Sequence, residues 1–502
     1  MATHDVLIND SALRSHPEGV AIALQLPWYR SLWLSAVQSV DVSVDGDRVA
    51  PERLSLELAG GRHPVAELPD RWDVLWFVGD HPLLVIEQEE ASPVGASHRI
   101  ELSVVLRLPY MQIAPGTPEG PGTYVPNHVT VDQELIVRDS ASTGTPSDGT
   151  FSVTDRAGAE QSGPAEPAAT GELPFGLGLT LYSATAELVA GQLDLDSTLQ
   201  RVADLGIGPG IEIVASQTLR SYPDVTESFV ERWRRSFDRY GFTATSFGAN
   251  LDMGRRNDRD MTLDEEYDFT RRLFDGAHRL GFPLVRIQSA KPELLRRLLP
   301  LAEELELKMA YEIHAPHGPD SEPILRVREV YEELDSPLLG FVADFSSTMR
   351  RMAPTLLGTM GRMGLDSAAL DRLQEIWATD EPIQVRQEEF LGYLRSRGID
   401  PATLGPFARL AFNMQGHVDV EAWQEIMPQI MHVHAKFYDI DEDGQEPAID
   451  YPRLVRIFAD GGFRGWFSSE WEGHAFADLG QVDSLELVRR QHDLIRRSVH
   501  AR

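Results

Sequence analysis

The chain of 502 residues has no cysteine. That excludes disulfides, thiolate nucleophiles and sulfur-held metals, so any metal here takes oxygen and nitrogen ligands. Positive charge is scarce: 46 Lys and Arg stand against 78 Asp and Glu, a net charge of -32. Nucleic acids and anionic membranes need a basic footprint, so neither is expected as a partner. There is no run of about 18 apolar residues, hence no expected membrane span. The opening residues, MATHDVLINDSALRSHPEG, lack the basic and apolar regions of a signal peptide. A cytoplasmic location is the expectation. Glycine is not clustered into a phosphate loop after any predicted strand, which counts against a doubly wound nucleotide-binding sheet.

What is present is the material of a large globular protein. Hydrophobic residues make up 42% and charged residues 25%, and the length calls for two or three domains. From Val20 the chain reads as short strands: Val20–Leu26, Leu34–Val44, Leu54–Leu58, Trp72–Phe77, Leu83–Gln88 and His98–Leu108. The second closes on Asp45-Gly46, a hairpin signal. No segment shows a long helical period, so residues 1–137 are expected to form an antiparallel β-sandwich. Trp28, Tyr29, Arg30 and Trp33 form an aromatic cluster. It reads either as core and edge packing or as a docking surface or pocket wall. Residues 138–173 are rich in Ser, Thr, Gly, Pro and Ala and are expected to be a flexible linker.

Residues 174–502 alternate between strand and helix patterns. The strands are expected at Leu177–Tyr182, Ile211–Ala215, Ala244–Asn250, Leu284–Ser289, Lys308–His314, Gly340–Ser346, Met431–Tyr438 and Gly465–Trp471. Helical spacing separates them, as at Phe269, Leu273 and Ala277, and a last helix follows Asp483 and Ser484 as candidate caps. Eight such units predict a (β/α)8 TIM barrel. The connection from Ser347 to Ile430 is too long for one helix. It should hold several, as a lid or a contact surface.

Chemistry in a barrel sits at the C-terminal strand ends. Alternation places Glu312 and His314 on one face of the fifth strand. Alone, the pair reads as a metal site, an acid/base site or a surface pair in which each satisfies the other. Strand four carries Arg286 and Gln288, and strand six ends in Asp344. Strand seven carries His432, His434, Lys436 and Tyr438 on one face. Strand eight ends in Glu470, Glu472 and His474. Carboxylates converging on one mouth repel one another, and a divalent cation is the simplest remedy. The expected ligands are Glu312, Asp344, His434 and Glu470, with His432 and Glu472 as alternates. One imidazole and three carboxylates favour Mn²⁺, Mg²⁺ or Co²⁺ over structural zinc. Asp252, His317 and His474 are expected at the rim or in loops, as weaker candidates for substrate contact.

With YEIH, VADFS, MHVHAKF and GWFSSEWEG in hand, the second domain resembles the xylose-isomerase-like barrels of the sugar-phosphate isomerase/epimerase superfamily. LPWYRSLWLSAVQSVDVSVDG, WDVLWF and HRIELSVVLRLPYM resemble the small β subunit of bacterial C-glycoside deglycosidases. The chain thus resembles both deglycosidase subunits fused, the small one first. The resemblance implies a carbon–carbon lyase acting on 3-oxo-C-glycosides made by a separate sugar 3-oxidase; the expected metal is Mn²⁺, with Mg²⁺ or Co²⁺ as alternatives. It implies His314 as the base, with Lys436, Arg286 or Tyr438 stabilising oxyanions or delivering a proton. A homo-oligomer is the expected assembly. The competing activities are a sugar isomerase or epimerase, a keto-polyol dehydratase and, in a different class, a non-catalytic sugar-binding protein.

Overall fold

A computed structural model describes residues 6–139, 173–473 and 482–500, apart from 10, 59, 118–119, 290 and 405–406. The first domain holds two main antiparallel sheets. One orders Leu13–His16, Gly19–Ala23, Leu83–Glu87, Leu54–Leu58 and Gly61–Pro64. The other orders Thr123–Ile136, Ser97–Ala114, Val37–Val44 and Asp47–Arg48. Alternate residues of both (Ile22, Leu56, Leu84 and Ile86 from one, Val42, Ile100, Leu102 and Val104 from the other) share one apolar core. This is the expected sandwich. Asp45 and Gly46 both have positive φ, at 55° and 88°, and join Val44 to Asp47 in a two-residue hairpin turn.

Several local expectations change. Of Trp72–Phe77 only Leu75–Trp76 is strand, and Leu34–Ala36 is a 3₁₀ turn. The strand from His98 runs on to Ala114, beside an unforeseen strand, Thr123–Ile136. Pro126 and Asn127 hid the latter, because proline argues against a central strand. Here it sits on a sheet edge, where its missing N–H costs nothing. The expected linker starts late, since Arg138 still bonds Leu13 and Ser15 through its backbone. The rest of that stretch lies outside the described residues.

The second domain is a closed parallel barrel of eight strands, the first pairing with the last at Gly176↔Trp466. They are Gly176–Thr180, Gly210–Val214, Thr243–Ala249, Leu284–Ile287, Lys308–Ile313, Leu339–Asp344, Ile430–Phe437 and Trp466–Trp471. Asp483 caps the last helix by accepting from Glu486 N at 3.1 Å. The connection after Asp344 holds the helices Pro354–Arg362, Ser367–Trp377, Ile383–Ser396, Phe407–Asn413 and Ala422–Ile426. Leu356, Trp377, Phe390 and Trp423 bury it in the same core as the barrel helices. Gly416 N bonds Ser346 O at 2.8 Å, so the insert is a packed extension of the sixth strand's exit. Among the described residues no helix is long and apolar enough to cross a membrane.

The sandwich sits on the barrel mouth, gripping the loop after the third strand. Asp252 pairs with Arg30 and accepts from Trp33 Nε1 at 2.9 Å, all three buried. The Arg255 guanidinium lies about 5 Å from the rings of both Trp33 and Trp72. Asn257 donates to the Ser35 and Pro69 carbonyls. Asp260 accepts from Gln112, Gly116, Gly122 and Tyr124. A Cβ on Gly254 would meet the Tyr124 ring at 2.2 Å, so this contact requires glycine. The cluster Trp28–Trp33 is therefore a docking surface. Asp252, expected as a rim residue for substrate, instead holds the two domains together.

Candidate metal centre and active site

The pleat and the parallel register bring the polar strand ends together. Asp344 pairs with His434, and Lys436 with Glu470. Donor atoms of Glu312, Asp344, His434 and Glu470 all lie within 4.8 Å of one another. His434 Nδ1 is 2.5 Å from Glu312 Oε1, 2.9 Å from Glu470 Oε2 and 3.9 Å from Asp344 Oδ2. Yet His434 Nδ1, Asp344 Oδ2 and Glu470 Oε2 are buried without a hydrogen bond, the two carboxylate oxygens facing the Lys436 ammonium at 3.4 and 3.2 Å. Buried polar atoms left so are costly, and three aimed at one point fit a shared cation.

The charge balance fits as well. Five carboxylates (Glu212, Glu312, Asp344, Glu470 and Glu472) face two cations, Arg286 and Lys436. Burial pushes the Asp344 carboxyl up, and the charges of Lys436 and His314 offset this only in part. Burial alone would lower the His434 imidazole, but Glu212, Glu470 and Glu312 hold it well above the usual histidine range. Both shifts express a surplus of negative charge that a divalent ion would relieve. One nitrogen and three carboxylates, without sulfur, suit a hard or borderline divalent ion.

Glu212, on the second strand, was not foreseen. It is fully buried, and its two oxygens lie 2.8 Å from His434 Nε2 and 2.9 Å from His432 Nε2. Burial opposes its ionisation, but the two imidazoles pull its carboxyl well below the usual range. Glu212, His432 and His434 form a second group with metal-donor spacing. It meets the first group at His434, whose Nε2 faces Glu212 while its Nδ1 faces Glu312 and Glu470. A carboxylate taking the Nε2 proton of His434 leaves the Nδ1 lone pair facing the other three ligands. The signal was available: Glu212 is the lone charge in the apolar strand GIEIV.

The remaining candidates divide. Arg286 donates to Glu312 Oε2 at 2.9 Å. Lys436 Nζ is 2.9 Å from Glu472, 3.2 Å from Glu470 and 3.4 Å from Asp344. Glu472 also accepts from the Tyr182 hydroxyl, so it belongs to this outer network. The Tyr438 hydroxyl donates to Met414 O in the insert at 3.0 Å, and the phenol lies within the fields of Lys436, Glu472 and Asp344. His432 is spent on Glu212 and Ser468. His317 follows the strand in a turn closed by its N–H on His314 O. His474 lies outside the described residues.

His314 is half-buried beside the donor cluster. Its Nδ1 lies 2.7 Å from Ala315 O, which can only accept, so Nδ1 carries the proton. Nε2 is then the basic nitrogen, 3.7 Å from Asp344 Oδ2. A cleft of about 250 Å³ opens here, lined by Glu312, His314, Tyr311, Gln288 and Met253, and by Tyr110 from the first domain. A base, a cluster of hard ligands and two cations around one cleft can remove a proton next to a carbonyl and hold the resulting charge.

Comparison with known proteins matches each half of the chain. Residues 5–110 match the family described as C-glycoside deglycosidase beta subunit, and residues 199–497 match the xylose isomerase-like TIM barrel family. A C-glycoside deglycosidase alpha subunit of Arthrobacter globiformis is 58% identical over 323 residues, 64% of this chain and 92% of that protein. The 3'-dehydrocarminate deglycosidase alpha subunit of a Microbacterium species is 36% identical over 330 residues, 64% of this chain and 94% of that protein. A C-glycoside deglycosidase beta subunit of Arthrobacter globiformis is 46% identical over 137 residues, 27% of this chain and 99% of that protein. The chain belongs to the C-glycoside deglycosidase family, with its beta-subunit and alpha-subunit regions joined in one polypeptide in that order.

Proposed function

We propose that the protein is a metal-dependent C-glycoside deglycosidase that cleaves the sugar–aglycone C–C bond of 3-oxo-C-glycosides by proton abstraction and β-elimination. The observation that carries this reading is the convergence of Glu312, Asp344, His434 and Glu470, with three buried donor atoms that make no hydrogen bond, beside the basic Nε2 of His314. These four residues would hold the ion, manganese being the best match to the donor set. When bound it supplies Lewis-acid polarisation of a substrate oxygen.

The chain's own residues account for the proton. A ketone at the third sugar carbon acidifies the hydrogen on the second. His314 Nε2 takes that proton, and Ala315 O keeps the imidazole in the tautomer that can accept it. The electron pair released at the second carbon forms a double bond to the anomeric carbon, and the bond to the aglycone breaks. The aglycone carbon then takes up a proton. The products are an unsaturated 3-oxo sugar and the free aglycone, with no net redox change and no water consumed. Arg286 and Lys436 sit where they offset negative charge during this step. The ketone has to be installed beforehand, so the reading places a separate sugar 3-oxidase upstream.

The test is direct. A 3-oxo-C-glycoside should release its aglycone without added nicotinamide, more slowly when deuterium replaces the hydrogen at the second sugar carbon. Chelation should abolish release and the divalent ion restore it. If free ketoses alone react, the site is that of an isomerase or epimerase.

A further inference from the structure

We infer that the first domain completes the active site, with Tyr110 as the residue that binds the aglycone. This rests on the deglycosidase reading above and adds where the aromatic half of the substrate sits. Tyr110 belongs to the strand Ser97–Ala114, whose pairing with Thr123–Ile136 is regular up to Arg107↔Pro126. The next partners are Gln112↔Tyr124, so five steps on one strand oppose two on the other. Such an irregularity re-aims side chains out of a sheet. This one delivers Tyr110 to the cleft that Tyr311, Glu312 and His314 line from the barrel.

The ring is held firmly. The Arg30 guanidinium lies 3.9 Å from its centroid and is itself fixed by Asp252 of the barrel. The hydroxyl accepts from Trp28 Nε1 and donates to the Tyr29 hydroxyl, each at 2.9 Å. On either side the chain is clamped to the barrel loop. Pro109 O accepts from Gly254 N at 2.8 Å, Arg107 reaches the Arg256 carbonyl at 2.8 Å, and Gln112 reaches Asp260 at 2.8 Å. A preorganised aromatic ring is a low-entropy contact for a planar phenolic ring. Glu312 and His314 line the same cleft, while Leu251, Met253 and Ile287 give it apolar surface. The cleft therefore offers charged groups to the oxidised sugar and aromatic, apolar ones to the aglycone.

The experiment uses the full chain, free luteolin as a planar phenolic probe, and 3-oxo-C-glucosyl-luteolin as substrate. Tyr110→Ala should weaken luteolin binding by about ten- to thirtyfold, the loss typical of a central aromatic anchor. KM for the glycoside should rise by a similar factor, with kcat less affected, and Tyr110→Phe should recover most of both. If wild-type protein releases aglycone while Tyr110→Ala binds luteolin and the glycoside with unchanged constants, the inference is overturned. If wild-type protein releases none, it is the deglycosidase reading that fails. One measurement needs no variant: luteolin should slow amide exchange at residues 108 and 110–112 of the wild-type chain. Exchange unaltered by saturating luteolin would equally overturn the assignment.

Discussion

Replacing Glu212 with glutamine tests the architecture of the metal centre without touching any of its four proposed ligands. The carboxylate accepts from two imidazoles, His434 and His432, at 2.8 and 2.9 Å. An amide has one accepting oxygen, so only one of the two N–H groups keeps its partner. His432 has a second partner, Ser468 Oγ at 3.0 Å, and tolerates the change better. The amide oxygen then turns to His434, which keeps its tautomer but loses the carboxylate that raises its basicity. Loss of such an outer partner lowers metal affinity by roughly 10- to 100-fold, about 1.4 to 2.7 kcal/mol. Competition with a fluorescent chelator at fixed pH reads this, alongside metal content by mass spectrometry. Glu212→Gln should bind the ion measurably more weakly and still fill one site per chain at saturation. Wild-type affinity would refute the argument that the Glu212 carboxylate strengthens His434 as a ligand. Complete loss in Glu212→Gln and His432→Ala, with normal binding in Asp344→Asn, would move the ion to the group of Glu212, His432 and His434.

Three further outcomes are expected. His314→Ala should retain the metal and lose turnover by about 10²- to 10⁴-fold, whereas Glu312→Ala should lose both; retained turnover in the first would move the base elsewhere. Asp252→Ala strands the fully buried Arg30 guanidinium and should destabilise the folded chain by about 3–5 kcal/mol in denaturant unfolding, and an unchanged midpoint would contradict the docking described above. Burial of the His492 imidazole pushes it from 6.5 down to about 3, so between these values the unfolded chain binds the extra proton. Its contribution is intact above about pH 6.5 and is lost as pH falls through that window. His492→Gln should remove about 2 kcal/mol of the stability lost between pH 7 and pH 5, and identical pH profiles would refute the assignment.

The parts legible in the sequence are those governed by local periodicity. All eight barrel strands fall within about two residues of their expected bounds, the largest differences lying at the C-terminal ends of the first, fourth and sixth strands, where turns begin a little earlier. Glu312, Asp344, His434 and Glu470 converge because strand alternation and parallel register are simple rules, and both act here without bulges at the C-terminal strand ends. Glu212 was missed because the strand ends were searched, and it lies one layer deeper, on a strand that otherwise reads as core. Tyr438 shares a face with His434 and Lys436 as alternation requires, but the partner of its hydroxyl does not follow from that rule. That hydroxyl is claimed by the insert, whose fold no local pattern specifies. Thr123–Ile136 was hidden by Pro126, whose harmlessness depends on an edge position that only the assembled sheet reveals.

The placement of the first domain follows from the same long-range logic. The Arg30–Asp252 pair is buried on both sides, and such a pair contributes little net stability against its desolvation cost. What it contributes is position, because neither charge tolerates a shifted docking. Around it, Ser31 N bonds Ser216 O at 3.1 Å, and the Tyr29 carbonyl takes Gln217 Nε2, so one short segment grips the loops after the second and third barrel strands. The second grip, Arg107 to Tyr124 on Gly254 to Asp260, approaches from a different sheet. Two grips on one barrel loop leave the sandwich no free rotation about either. Tyr110 lies between them, and its ring thereby inherits the rigidity of the barrel strands that carry the proposed metal ligands and His314.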